Sequence, residues 1–150
     1  MGDRSFAPVT VLSAPRARTD VTCPDCGAPT LAFAVPEQYR DALPGDGAGA
    51  EICSRCLVLR PVADPPAETP EFTTVSDAVP SNDEAAIPFV LMVGLLPSLA
   101  TNRAEISELL ARVERAGTDP LLALDRLADD PSVDAAADLR GRRRQLEQLL

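Results

Sequence analysis

Histidine, lysine and tryptophan are absent from this chain, and its aromatic residues are one tyrosine and four phenylalanines. Without histidine there is no Ser-His or Cys-His nucleophile pair and no imidazole-ligated catalytic metal. Without lysine all 14 basic side chains are arginine, the cation suited to planar, bidentate pairing rather than to a strongly hydrated point charge. Basic charge is itself scarce: 23 acids against 14 bases leave a formal −9. A chain of that balance is a poor general binder of phosphate backbones. Long apolar runs are also missing. The longest, Ala85 to Ala100, is interrupted by Pro88, Gly94, Pro97 and Ser98 and falls short of the ~20 residues a spanning helix needs. Met1 to Thr22 carries Arg4, Arg16 and Arg18 but no apolar stretch of the kind a secretory signal requires. No membrane association is expected, and the expected compartment is the cytoplasm.

What is present is 150 residues, 45% of them apolar, enough for one domain or two small ones with a modest core. The four cysteines fall in two close pairs, Cys23-Pro-Asp-Cys26-Gly and Cys53-Ser-Arg-Cys56-Leu. In a reducing compartment that spacing points to a metal rather than to disulfides. Each C-x2-C turn can aim two sulfurs at one ion while backbone N–H groups point at the thiolates, and two such turns complete a tetrahedron. Cys23, Cys26, Cys53 and Cys56 are therefore the expected ligands of one structural Zn²⁺ per chain. Iron is the alternative, since C-P-x-C-G also suits a rubredoxin-type knuckle, although only Phe33 and Tyr39 could supply aromatic packing. Gly27 allows the left-handed backbone that such a turn needs after its second ligand. Arg55, inside the second pair, is expected to offset the net −2 of four thiolates and one divalent ion. Four thiolates leave no open position for water, so a structural metal is favoured over a catalytic one.

Around the cysteines the chain divides into a lead over 1–20, a zinc ribbon over 21–62, a linker over 63–83 and a helical domain over 84–150. Val9 to Leu12 could form a short strand in the lead. In the ribbon, Leu31, Phe33 and Val35 alternate on one face of a strand that Pro36 stops. Glu37 to Ala42 fits a helical turn, Pro44 to Gly49 a loop, and the strand leading in through Ile52 leaves again over Leu57 to Val62. Pro65, Pro66, Pro70 and Pro80 among acids mark an extended linker, on which Phe72, Val75 and Val79 are the groups able to dock. Four helical segments follow. The first, about 84–96, has Pro88 in an early turn, is apolar on nearly every side and should be buried all round. Pro97 ends or kinks it. Asn102 and Glu105 have the spacing of a capping box ahead of Ile106, Leu109, Leu110 and Val113, and Gly117 supplies the stop. Asp119-Pro120 opens a helix with Leu121, Leu122, Leu124 and Leu127. Asp138 caps the last, which carries Leu139, Leu146, Leu149 and Leu150. The fold class expected is α+β: a small β zinc ribbon, a Pro/acid linker and a C-terminal bundle of three or four helices.

Arg140, Arg142, Arg143 and Arg144 form a basic cluster on the last helix. It reads either as a patch for nucleic acid or an acidic partner, or as a solvated face paired with the acids of 125–138, which is the favoured reading. No catalytic residues are identified, and Asp129-Asp130 reads as solvated turn.

With these segments in view, the chain resembles an uncharacterised haloarchaeal zinc-ribbon family, a domain of unknown function. The resemblance rests on Cys23-Pro-Asp-Cys26-Gly through Pro36, on Cys53-Ser-Arg-Cys56-Leu, and on the helical tails Arg112 to Leu127 and Arg142 to Leu150. It covers about 21–150 and implies a halophilic cytoplasm and the same two-part layout, but no activity. The expected function is that of a non-enzymatic zinc-ribbon adaptor, binding an unknown protein partner or itself through the helical region. A nucleic-acid-binding regulator using Arg140 to Arg144 is the alternative.

Overall fold

The computed structural model describes residues 22–43 and 47–148. The possible strand at Val9 to Leu12, the loop residues 44–46, and Leu149 and Leu150 lie outside them. Three antiparallel strands, β1 (Thr30–Ala34), β2 (Gly49–Cys53) and β3 (Leu59–Val62), form a sheet in the order β1-β2-β3. Thr30 faces Cys53 and Ala34 faces Gly49 across the first pair, while Ile52 faces Leu59 across the second. Pro61 is tolerated because β3 is an edge strand. The turn expected over Glu37 to Ala42 is a 3-10 helix with Tyr39 and Ala42 buried.

Four helices follow: α1 (Asp83–Leu95), α2 (Arg103–Arg115), α3 (Pro120–Ala128) and α4 (Leu139–Glu147). The α+β class, with a small sheet ahead of a helical bundle, is the one the residue pattern predicts. Asn82 caps α1 by accepting from the Glu84 N–H, Asp119 caps α3 through Leu121 and Leu122, and Asp138 caps α4 through Gly141. Gly117 ends α2 with φ +97°. Pro88 is the sixth residue of α1 and leaves the Glu84 carbonyl without its helical donor. Glu84 is exposed, so water can take that bond.

One expected cap does not form. Asn102 makes no side-chain bond to α2; its amide donates backwards to the Ser98 carbonyl at 3.2 Å. The Asn102 backbone N–H is also committed to Ser98 O, at 3.0 Å, so Glu105 has nothing to reach for. The cause is the short 3-10 turn Leu96–Ser98, which Pro97 imposes and which turns the chain tightly into α2.

α1 is buried from Ala85 to Val93 and at Leu95, as its lack of a polar face requires. It packs on α2, on β3 and on the Glu37–Ala42 turn. The expected linker ends one residue early, since Asp83 already belongs to α1; 63–82 contains no strand or α-helix, yet it lies against the body. A 3-10 turn, Phe72–Thr74, sets the Phe72 ring edge-on to Phe33 with centroids 5.1 Å apart, and Val75 and Val79 are buried with it. A single apolar cluster consequently runs from Phe33 and Leu59 through Phe72 to α1, Leu124 and Leu146. A second, small cluster holds Cys23, Cys53 and Cys56 with Ala28. Among the described residues no helix is long and apolar enough to cross a membrane.

Candidate metal centre

The two cysteine turns are built on the same backbone pattern. In the first, the Cys23 N–H donates to Ala28 O at 2.8 Å and the Gly27 N–H to Cys23 O at 2.8 Å. In the second, the Cys53 N–H donates to Val58 O at 3.0 Å and the Leu57 N–H to Cys53 O at 3.2 Å. Both turns close through a left-handed residue, Gly27 at φ +79° and Leu57 at φ +65°. For leucine that conformation is unfavourable; Leu57 is held there with its side chain buried. The sequence signalled the glycine and concealed the leucine. A direct bond, Ser54 N–H to Pro29 O at 3.0 Å, staples the turns together.

This arrangement brings all four expected ligands into one place. The Sγ atoms of Cys23, Cys26, Cys53 and Cys56 all lie within 4.8 Å of one another. The close approaches run between the turns, Cys23 to Cys56 at 3.6 Å and Cys26 to Cys53 at 3.4 Å. Four sulfurs each ~2.3 Å from a central ion would sit about 3.8 Å apart, whereas a disulfide needs ~2.05 Å. The donor set therefore fits a soft tetrahedral metal. Cys53 Sγ also accepts the N–H groups of Arg55 at 3.4 Å and Cys56 at 3.3 Å, the contacts that stabilise a thiolate. Three of the cysteines are buried and Cys26 is exposed.

Charge is arranged around the sulfurs by Arg60 rather than by Arg55. From β3, Arg60 reaches Cys23 Sγ at 3.6 Å and Asp25 at 2.9 Å. Strand pairing puts it beside the first turn, whereas Arg55 contributes through its backbone. Burial would raise the Cys23 thiol, but the N–H groups of Cys26 and Asp25, with Arg60, outweigh it and bring it down to about 6. Burial and the neighbouring sulfurs push Cys56 up to about 12. Once one sulfur is a thiolate, the others are harder to ionise unless a cation joins them.

A family model described as a family of unknown function, DUF6276, matches residues 22–150. The chain belongs to this family. No curated protein and no solved structure matches the chain. The DUF6276 match begins one residue before the first cysteine and takes in the helices, so the sulfur cluster and the bundle lie within one family unit.

The helical region reaches the second cysteine turn through a loop. In the loop between α3 and α4, the Asp134 N–H donates to Arg55 O at 2.8 Å and the Ala136 N–H to Cys56 O at 2.9 Å. No residue pattern announced that contact. The arginine cluster of α4 is divided: Arg140 pairs with Asp129, while Arg143 pairs with Asp125 at 2.9 Å and Glu147 at 2.8 Å. Arg142 turns to Gln145.

Proposed function

We propose that the protein is a non-enzymatic adaptor whose Cys23, Cys26, Cys53 and Cys56 hold one structural Zn²⁺, and whose helical region binds a protein partner in a halophilic cytoplasm. The four converging sulfurs carry this reading. With all four sulfurs on the ion, no position remains for substrate or activated water. Zinc supplies cross-linking here, not chemistry: it ties β2 and β3 to the first turn and, through Arg55 and Cys56, to the α3–α4 loop. The division of Arg140 and Arg143 onto intramolecular acids favours the adaptor over a nucleic-acid-binding regulator. The haloarchaeal character rests on the all-arginine, acid-rich composition and on the resemblance stated above.

Metal analysis of natively expressed protein should give one zinc per chain, and capture from a halophilic lysate at molar salt should return a stoichiometric protein. A visible-absorbing iron centre, or a turnover activity lost in Cys23→Ser, would overturn the reading.

A further inference from the structure

Most clefts on this acidic chain are lined by acids or by mixed charges. The one between Gln38 and α2 carries Asp41, Glu105 and Glu108, and the one between Tyr39 and α1 sets Asp83 and Glu84 beside Arg112 and Arg115. A third is different. A groove of about 350 Å³ lies between the Leu96–Ser98 turn, the start of α2 and the end of α4, lined by Leu99, Ala100, Arg103, Arg142, Gln145 and Gln148. Its charged lining is cationic alone.

Two features make this groove receptive to carboxylates. Among the described residues the ion pairs engage Arg60, Arg112, Arg140 and Arg143; Arg103 and Arg142 are outside them, as other arginines are, but these two line one groove that carries no acid. Arg142 gives Nη1 to Gln145 at 2.9 Å, so its guanidinium is bonded to a neutral side chain of the groove and to no carboxylate. The groove also reaches the first residue of α2, whose N-cap Asn102 makes no side-chain bond to the helix. The first N–H groups and the positive end of α2 are thus uncapped by a side chain.

We propose that this groove docks an acidic peptide segment of a protein partner, with carboxylates on Arg103 and Arg142 and the peptide amides on Gln145 and Gln148. The proposal rests on the adaptor reading and gives it a surface. A nucleic acid fits less well: two guanidiniums release few counterions, and no aromatic side chain lines the groove to stack a base. Arg142 is half-buried, so its pairing is screened by salt less than that of an exposed charge.

The test uses the full chain and a short fluorescein-labelled peptide of glutamate and leucine, read by anisotropy at about 0.1 M and at about 1 M KCl, with circular dichroism showing the wild-type chain folded at each. Binding is expected, weakened about tenfold or more by Arg103→Ala with Arg142→Ala and unchanged by Arg140→Ala with Arg143→Ala. Circular dichroism checks that each variant is folded, and Arg103→Glu alone, at an exposed position, serves if the double variant is not. Absence of peptide binding overturns the proposal, as does equal loss in the Arg140/Arg143 pair. So does tighter binding of a single-stranded oligonucleotide through Arg103 and Arg142. If a stoichiometric protein is still captured by Arg103→Glu, the groove falls and the adaptor reading stands. If wild-type chain captures none and binds no peptide, both fall.

Discussion

A β-carbon placed on Gly94 of α1 would lie 2.5 Å from the Cβ of Leu59 on β3. Helix and strand therefore meet backbone to side chain with nothing between them, and the ribbon is held to the bundle at a spacing only glycine permits.

Gly94→Ala should accordingly destabilise the protein by roughly 1–3 kcal/mol through forced displacement of α1, despite the ~1 kcal/mol that alanine gains over glycine within a helix. Leu59→Ala in the same chain should not restore the loss, because the closest atom is the Cβ that alanine keeps. Urea unfolding of the two single variants and the double variant decides this. A more stable Gly94→Ala would show that propensity wins and that the contact is loose.

Removing the proposed metal should be felt well beyond the cysteines. The carbonyls of Arg55 and Cys56 accept N–H bonds from Asp134 and Ala136, and the main apolar cluster is continuous from sheet to helices. Chelation of the zinc-loaded chain, or Cys56→Ser, should raise hydrogen exchange first in both cysteine turns and then at 134–136. The innermost amides of α1 should respond last. Exchange confined to 22–62, with 134–136 unchanged, would show that the loop contacts do not transmit the loss.

The elements marked by single residues were legible in the sequence. Asp119-Pro120, Asp138 and Gly117 each specify a local geometry that tertiary context did not override, and the paired cysteines prescribe their own convergence. What was hidden depends on register between distant segments. Arg60 neutralises Cys23 only because β3 pairs with β2, and residues 134–136 meet the second turn only because α3 and α4 pack as they do. The Asn102 cap failed for a local reason that Pro97 foreshadowed: a 3-10 turn had already claimed the donors.

The two left-handed turn residues give a paired prediction. Around Gly27 there is open space, so Gly27→Ala should cost about 1–2 kcal/mol from backbone conformation alone. At Leu57 the balance reverses. Leu57→Gly removes a similar backbone penalty but also about 1.5–3 kcal/mol of side-chain burial, and it should leave the protein no more stable or slightly less. Thermal melts of the zinc-loaded variants measure both; a clearly stabilised Leu57→Gly would mean that strain dominates.

Ser76, buried on the connecting stretch, donates from Oγ to Asp130 after α3 and accepts the Ala78 N–H at 3.1 Å. The hydroxyl of Ser76 foremost, then Ser132, holds the Asp130 carboxyl below its ordinary value of 3.8. A carboxyl depressed on folding contributes stability that is present above its unfolded pKa and lost as pH falls through the folded one. Ser76→Ala should therefore lower stability at neutral pH by about 1–2 kcal/mol and flatten its fall below about pH 4. An unchanged acid limb in the variant would remove Asp130 from the acid response.

Charge sets the last expectation. An excess of nine acids is not relieved by the Arg140–Asp129 and Arg143–Asp125 pairs, since both partners in those pairs are already counted in the net balance. The proposed tetrathiolate zinc centre would add two more negative charges, beside which Arg60 lies. At low salt this excess repels across the folded surface more than across an expanded chain. Salt shortens the reach of the repulsion from ~10 Å at 0.1 M to ~3 Å at 1 M, while exposed ion pairs, worth little to begin with, lose little. Salts excluded from the surface should add to this by strengthening burial of α1 around Val90 to Leu95. The melting temperature should consequently rise with KCl into the molar range. An ordinary GC-rich mesophile would also replace lysine by arginine, but it would not need salt to fold. A melting temperature flat from dilute buffer to roughly 2 M KCl, past the range where screening saturates, would decide for that origin and remove the halophilic reading while leaving the zinc site and the groove untouched.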